Sequence, residues 1–266
     1  MEIVLSIAGS DPSAGAGIQQ DLKTITAMGC YGATVITALT SQNTMGVKAV
    51  MPIPADVVRS QMQAVLEDFD VKSVKIGQIP NGETADVIAD VLRSYKEHTM
   101  PGLPVVYDPV MVSTSGHRLM SAECMQCIQD LIFPLCHLVT PNIPEAEQLL
   151  NRSLVQTEDY LQAGKELMLR YGTNILLKGG HAQEGRMTDR LFLVSDGSVH
   201  HYHDDIIDSN NLHGTGCTLS SAIASALAQG STLTEAVGRA KQFVSAAIRG
   251  GKDLHVGRGN GPVWNF

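Results

Sequence analysis

Short β-branched apolar runs alternate with longer amphipathic stretches along the whole of this chain, and few folds accommodate that alternation. Glu2–Ile7 reads as a strand, and a Gly/Ser/Asp loop to Gly17 leads into a helix over Ile18–Met28 that Gly29 ends. Strands are expected at Ala33–Leu39, Val71–Ile76, Val105–Tyr107, Leu138–Thr140 and Ile175–Leu177. Between and after them, helical spacing predicts Pro54–Phe69, Thr84–Tyr95, Ser121–Phe133, Pro144–Leu150, Tyr160–Tyr171, Thr218–Ala228 and Thr234–Arg249. Strands that alternate with helices imply a mostly parallel sheet with right-handed crossovers. Arg190–Val194 and Val199–Tyr202 flank Asp196-Gly197, a hairpin signal that predicts an antiparallel edge. The 266 residues, 44% hydrophobic and only 5% aromatic, suffice for one α/β domain spanning 1–266 with an aliphatic sheet core. In such sheets ligands bind at the carboxyl ends of the strands, so the loops after the strands are the place to search.

A net charge of −8 argues against nonspecific binding to nucleic acid or to an anionic membrane, both of which need clustered Lys and Arg. No apolar run approaches the ~18 residues of a membrane span, and no basic segment precedes a signal-like apolar stretch. A cytoplasmic protein is expected. The five cysteines, an odd number in a long chain, read as reduced thiols rather than a disulfide framework.

Three constellations carry chemistry. In the first, His213-Gly-Thr-Gly-Cys217 precedes a helix of small residues. A helix start offers unpaired N–H groups and a positive dipole end to an anion, and glycine lets the backbone come close to a phosphate. Cys217 falls in the first turn, where a thiol pKa is commonly lowered. The same string also reads as a glycine turn followed by a buried thiol. In the second, Ile7-Ala-Gly-Ser-Asp-Pro-Ser-Ala-Gly-Ala-Gly17 joins a strand to a helix through small residues. It lacks the third glycine of a dinucleotide fingerprint, and the chain has no Walker A motif. In the third, Asp108, Asn142, Glu145 and Lys178 all follow strands. Carboxylate oxygens suit Mg²⁺ and a lysine neutralises phosphate, although Glu145 also suits a helix first turn.

Two patterns are discounted. Cys124 and Cys127 are three apart on an expected helix, with Cys136-His137 nearby but no second paired knuckle. His200-His-Tyr-His203 belongs to the expected edge hairpin, where polar side chains face solvent.

The chain resembles the ribokinase superfamily, and within it the hydroxymethylpyrimidine/phosphomethylpyrimidine kinases. The resemblance rests on Gln19-Gln-Asp-Leu-Lys-Thr24, Ala38-Leu-Thr-Ser-Gln-Asn-Thr44, Val74-Lys-Ile-Gly77, Asp108-Pro-Val-Met111, Ser115-Gly116, His213-Gly-Thr-Gly-Cys-Thr218 and Gly257-Arg-Gly-Asn-Gly-Pro-Val263. It implies a three-layer α/β/α kinase that uses ATP and Mg²⁺ and assembles as a homodimer. It also implies a substrate that is an aminopyrimidine alcohol and then its monophosphate. By the same resemblance Asp21 and Gln42 would hydrogen-bond the ring edge, with Gly9 against the ring and Gln78 in the ring pocket. Asn142, Lys178, Gly214 and Gly216 would hold the nucleotide. Asp108 and Glu145 would organise the metal, and Cys217 would serve with Gly214, Thr215 and Gly216 in catalysis. Gln78 stands where Met is common, Leu212 where Thr is common and His117 where Asp is common. A pyridoxal-type kinase is the nearest alternative, and a binding protein that keeps the fold is an alternative of another class.

Overall fold

Val4 and Leu5, neighbours in one strand, are both fully buried yet belong to different apolar clusters, which makes the strand part of a sheet covered on both faces. Val105 and Val106, Leu138 and Val139, and Leu176 and Leu177 divide in the same way. Each such side chain contributes roughly 1.5–3 kcal/mol on burial, which is why a chain of continuous aliphatic runs folds as a sandwiched sheet. The computed structural model describes residues 1–111, 120–179 and 186–266. Ser115-Gly116, His117 and Gly180-His181 lie outside the described residues.

The strands are β1 (Ile3–Ser10), β2 (Tyr31–Asn43), β3 (Gly46–Pro52), β4 (Val71–Ile76), β5 (Val105–Tyr107), β6 (Leu138–Val139), β7 (Asn174–Leu177), β8 (Arg186–Phe192) and β9 (Val199–Asp205). Among the described residues they form one sheet in the order β3-β2-β1-β4-β5-β6-β7-β8-β9. The pairs from β2 through β7 are parallel. The β7–β8 and β8–β9 pairs are antiparallel, so the expected edge hairpin is present, with Gly197 in its connection at φ +69°. The other edge differs from expectation. The second strand runs on to Asn43 and folds back as β3, antiparallel to β2, giving the sheet an antiparallel pair at each end. Residues 46–52 were not expected as a strand because their burial is shallow and irregular, leaving no clean apolar alternation to read.

Helices α1 (Gly17–Ala27), α7 (Thr215–Ala228) and α8 (Leu233–Gly251) pack on one face; α2 (Ala55–Asp68), α3 (Gly82–His98), α4 (Ala122–Leu131), α5 (Ile143–Leu150) and α6 (Thr157–Tyr171) cover the other. Local signals set their ends. The Asn81 side chain accepts the Thr84 N–H at the start of α3, and Asn142 and Glu145 form a capping box on α5. Helix α7 begins at Thr215, three residues before the expected start, so Gly214 is its N-cap and Cys217 lies in its first turn. The result is the three-layer α/β/α architecture expected from the sequence.

The chain starts in the middle of this sheet. From β1 it moves outward to β2 and β3, then returns to β4 on the other side of β1 and proceeds to β5. The carboxyl ends of β1 and β4 therefore border a topological switch point, where the connecting segments leave in opposite directions and open a crevice.

Candidate active site

Hydrogen bonding continues past the strand ends and fixes the residues that follow them. The Gly77 N–H donates to the Ile7 carbonyl, Asp108 N–H to Ile76, and Lys178 N–H to Pro141, at 2.8, 2.9 and 2.8 Å. Asp108 and Lys178 are thereby delivered from separate strands to the same rim. Lys178 Nζ donates to Asp108 Oδ1 at 2.7 Å and stands 4.0 Å from Glu145 Oε2. Thr140 Oγ1 donates to the same Asp108 oxygen at 3.1 Å. Burial works against the Lys178 charge, but the two carboxylates outweigh it and hold its pKa above that of an ordinary lysine. Glu145 responds the other way. Burial pushes its carboxyl up to about 7, with Lys178 pulling it down and Asp108 pushing it further up. Its capping role persists beside this, since Oε2 accepts the Asn142 N–H at 2.8 Å while Asn142 Oδ1 accepts the Glu145 N–H at 2.8 Å. A further contact anchors the Lys178 corner. The Gly179 N–H donates to Asp189 Oδ1 at 2.8 Å, and Lys241 holds Asp189 and Asp204 at 2.8 and 3.0 Å.

The start of α7 lies directly over this cluster. A Cβ placed on Gly216 would be 3.1 Å from Asp108 Oδ2 and 3.6 Å from Lys178 Nζ. The first turn of α7 thus packs at Gly216 against a lysine flanked by carboxylates, and a first turn carries amides that the helix itself leaves unpaired. The Thr215 amide is committed differently, donating to the Leu212 carbonyl at 3.2 Å, which narrows the expected anion donors of this loop. Gly214 joins the two glycine loops. Its φ is +86°, and a side chain there would overlap the Gly15 carbonyl oxygen. Gly214→Ala is expected to cost about 2–3 kcal/mol in urea unfolding, from backbone strain plus steric overlap. Gly197→Ala, with φ +69° and open space around it, should lose about 1 kcal/mol, the backbone part alone. Equal losses in the two variants would show that the loops are not in register as described.

Cys217 does not have the lowered pKa that its helix position suggested. Burial pushes the thiol up to about 11; Lys75 pulls it down, Asp21 and Asp108 add to the rise, and the Gly17 amide opposes it. The helix start is outweighed chiefly by burial, which disfavours the thiolate, and the two carboxylates add to it.

Gly9, Gln42 and Gln78 line the same cavity, of about 760 Å³, as Asp108, Glu145, Lys178 and Cys217. Asp21 does not. It is fully buried on α1, paired with Lys75 at 2.7 Å and accepting from Ser6 and Ser221, beneath the cavity rather than on its wall. A residue at 0% exposure with its oxygens engaged has no direct reach to a ring, so its expected ring contact is replaced by a supporting one. The same cavity is also lined by Met187, Ile206, Ile207, Val244 and Ile248, an apolar set of the kind that accepts a flat base.

Sequence reasoning passed over two residues here. Asp11 organises the first glycine loop, accepting the N–H groups of Ser13, Gly15 and Ala16 and the Ser13 hydroxyl. Its carboxylate also stands 3.1 Å from His213 Nε2; burial opposes its charge, but these contacts hold its pKa below the usual value. Asp-Pro-Ser at the end of a strand is a turn signal that marks such a residue. Lys75 is the other. A lysine in the middle of a strand with buried neighbours signals a buried partner.

Residues 11–264 match the family described as phosphomethylpyrimidine kinase. A hydroxymethylpyrimidine/phosphomethylpyrimidine kinase of Rhizobium meliloti is 46% identical over 265 residues, covering 99% of this chain and 97% of its own. The protein of the same name from Salmonella typhimurium is 38% identical over 263 residues, covering 98% and 96%. Among solved structures, the phosphomethylpyrimidine kinase of Clostridium difficile 630 aligns with a TM-score of 0.80 at 39% identity, over 93% of this chain and 100% of its own. An ADP complex of Bacillus subtilis pyridoxal kinase aligns with a TM-score of 0.88 at 30% identity, over 100% and 97%. A family match over nearly the whole chain, with relatives and a solved structure of the same name at 38–46% identity, shows that the chain belongs to the phosphomethylpyrimidine kinase family.

Proposed function

We propose that this kinase transfers the γ-phosphoryl group of ATP to the hydroxymethyl oxygen of 4-amino-5-hydroxymethyl-2-methylpyrimidine, and then a second phosphoryl group to the monophosphate, in thiamine biosynthesis. The observation that carries this reading is the Lys178–Asp108–Glu145 cluster under the first turn of α7, in one cavity with Gly9, Gln42 and Gln78. The nucleotide base would lie against Met187, Ile206, Ile207, Val244 and Ile248, with Asn142 and Lys178 along the phosphates. The attacking hydroxyl oxygen bonds to the γ-phosphorus as the bond to the β-phosphate oxygen breaks and ADP leaves. Lys178 and the Gly216 and Cys217 amides stabilise charge on the transferring group.

Asp108 and Glu145 supply hard oxygens, and the described residues contain no group of three or more His, Cys, Asp or Glu able to hold a metal. Two carboxylates without a third suit Mg²⁺, which keeps waters and completes its shell with substrate phosphates. When bound, the ion would neutralise charge on the β- and γ-phosphates.

At neutral pH Cys217 is a thiol, because its pKa is about 11. It therefore orients the attacking hydroxyl rather than standing ready as a base, and the hydroxyl proton passes late to an oxygen of the transferred phosphoryl group, as a loose transition state permits. Cys217→Ala is expected to lower kcat by about 10²-fold, the size of effect for losing a group that positions the attacking oxygen, with KM little changed. Unchanged turnover would remove Cys217 from the mechanism and leave the kinase reading intact.

The test is a coupled assay of ATP consumption with the aminopyrimidine alcohol, its monophosphate and pyridoxal in parallel. Preference for the aminopyrimidine in kcat/KM is expected. Preference for pyridoxal, which is bound in a Staphylococcus aureus pyridoxal kinase at 30% identity and a TM-score of 0.86, would reassign the substrate. No consumption with any of the three would turn the reading to a binding protein. A single cytoplasmic domain acting as a homodimer completes the proposal. Exposed Leu39, Met45 and Met51 on the β2–β3 arm offer an apolar surface for a second copy, and among the described residues no helix is long and apolar enough to cross a membrane.

A further inference from the structure

Gln78 emerges one residue past Gly77 at the end of β4, at the switch point of the sheet. Its main chain is held, since its carbonyl accepts the Thr37 hydroxyl at 2.7 Å. Its side chain is not satisfied. The residue is only 8% exposed, it lines the cavity, and the amide Nε2 is buried without a hydrogen-bond partner. A buried amide left unmade costs free energy that the fold recovers only when something enters to accept from it. The amide Oε1 lies where any side chain at Gly9 would stand. Gly9 is thus what makes room for Gln78 beside the ring space. Gln42, the other amide in the cavity, is differently placed. Its Oε1 accepts from Thr40 Oγ1 at 3.3 Å and its Nε2 stands 3.2 Å from His213 Nε2, so protein groups already engage both ends.

We infer that Gln78 reads the edge of the substrate ring, donating through Nε2 to an acceptor atom on the ring itself. The inference rests on the proposed phosphorylation of a ring alcohol and adds the chemistry that the pocket selects: a heteroaromatic ring with a lone pair facing β4, over a carbocycle of the same shape. A ring nitrogen meets the unpaired donor, whereas a ring C–H leaves it buried and unmet, a difference worth about tenfold in kcat/KM or more.

The experiment compares two alcohols, each with wild-type protein and Gln78→Met. One is the aminopyrimidine alcohol. The other is (2-amino-4-methylphenyl)methanol, which keeps the amine, methyl and hydroxymethyl groups in place but has no ring nitrogen. Methionine matches glutamine in length and nearly in volume and removes the amide. Wild type is expected to favour the pyrimidine at least about tenfold, and Gln78→Met to bring the two within about twofold by losing rate on the pyrimidine alone. The ligand-free variant should melt no lower than wild type, because an unsatisfied amide has been removed. If the wild-type preference survives in Gln78→Met, the inference fails and the kinase reading stands. A lower melting temperature with equal losses on both alcohols makes Gln78 structural and likewise overturns it. Wild type inactive on both alcohols overturns the aminopyrimidine as substrate, and the ring-edge role with it.

Discussion

Lys178→Met is expected to lower kcat/KM by about 10²- to 10³-fold, the effect of removing one preorganised donor from a developing charge. The size follows from where the ammonium lies. It touches Asp108 at 2.7 Å, stands 4.0 Å from Glu145 and lies beneath the Gly216 backbone, so nothing flexible can replace it. The loss should appear in kcat as well as in the KM for ATP, since the charge on the transferred group grows in the transition state. A second readout separates this electrostatic role from simple packing. Burial holds the Glu145 pKa at about 7 in the folded protein against 4.5 in its absence, so the folded state disfavours ionisation of this group. Its contribution to stability is therefore fully present below about pH 4.5 and is lost as pH rises through 7. Lys178 opposes that rise, so its removal pushes the Glu145 pKa higher and deepens the loss. Urea unfolding in EDTA should show Lys178→Met weakened at pH 5, where Asp108 has lost its buried partner, and weakened clearly further at pH 8, where the Glu145 loss is added. A variant equally destabilised at both pH values, or one that keeps more than about a third of wild-type kcat/KM, would contradict the assignment.

The residues that answer this test were legible in the sequence, and so was the rim that they share. Asp108, Asn142, Glu145 and Lys178 each follow an aliphatic run, and a parallel sheet brings the ends of such runs to one rim. The placement was thus implied by period and topology alone. What a string cannot carry is the electrostatic sum. The first turn of a helix predicts a lowered thiol pKa at Cys217, yet burial raises it to about 11 against the pull of Lys75. Asp21 failed for a related reason. Helical spacing puts it on α1 without saying which way the helix turns it, and the structure turns it inward onto Lys75 rather than toward the cavity. The antiparallel β2–β3 pair was hidden because an exposed arm needs no apolar alternation, whereas the β8–β9 hairpin carried a glycine turn that could be read directly. Gln78 was visible as a departure from a family pattern, but only the fold shows that its amide has no partner.

Lys75→Met is expected to cost about 3–5 kcal/mol of stability, the price of leaving a buried charge without its counter-ion. Lys75 and Asp21 are both fully buried, with Nζ donating to the two carboxylate oxygens at 2.8 and 2.7 Å. Ser6 and Ser221 donate to the same carboxylate at 2.6 and 2.8 Å, so one group ties β1, β4, α1 and α7 together beneath the cavity. Methionine keeps the length of the lysine stem, which confines the loss largely to the charge. Asp21→Asn should cost a similar amount for the opposite reason, by stranding the ammonium. The double variant Lys75→Met with Asp21→Asn removes both charges, and it should recover well over 1 kcal/mol relative to the sum of the single losses. The pair also reaches the chemistry. Lys75 is the charge that pulls the Cys217 thiol down, so Lys75→Met should raise that pKa beyond its present value of about 11. Alkylation of Cys217 by iodoacetamide at pH 9, read by mass spectrometry on folded protein, should then be slower than in wild type. Additive losses in the double variant would mean that the two charges are solvated separately. Unchanged alkylation would mean that Lys75 braces the floor of the site without acting on the thiol above it.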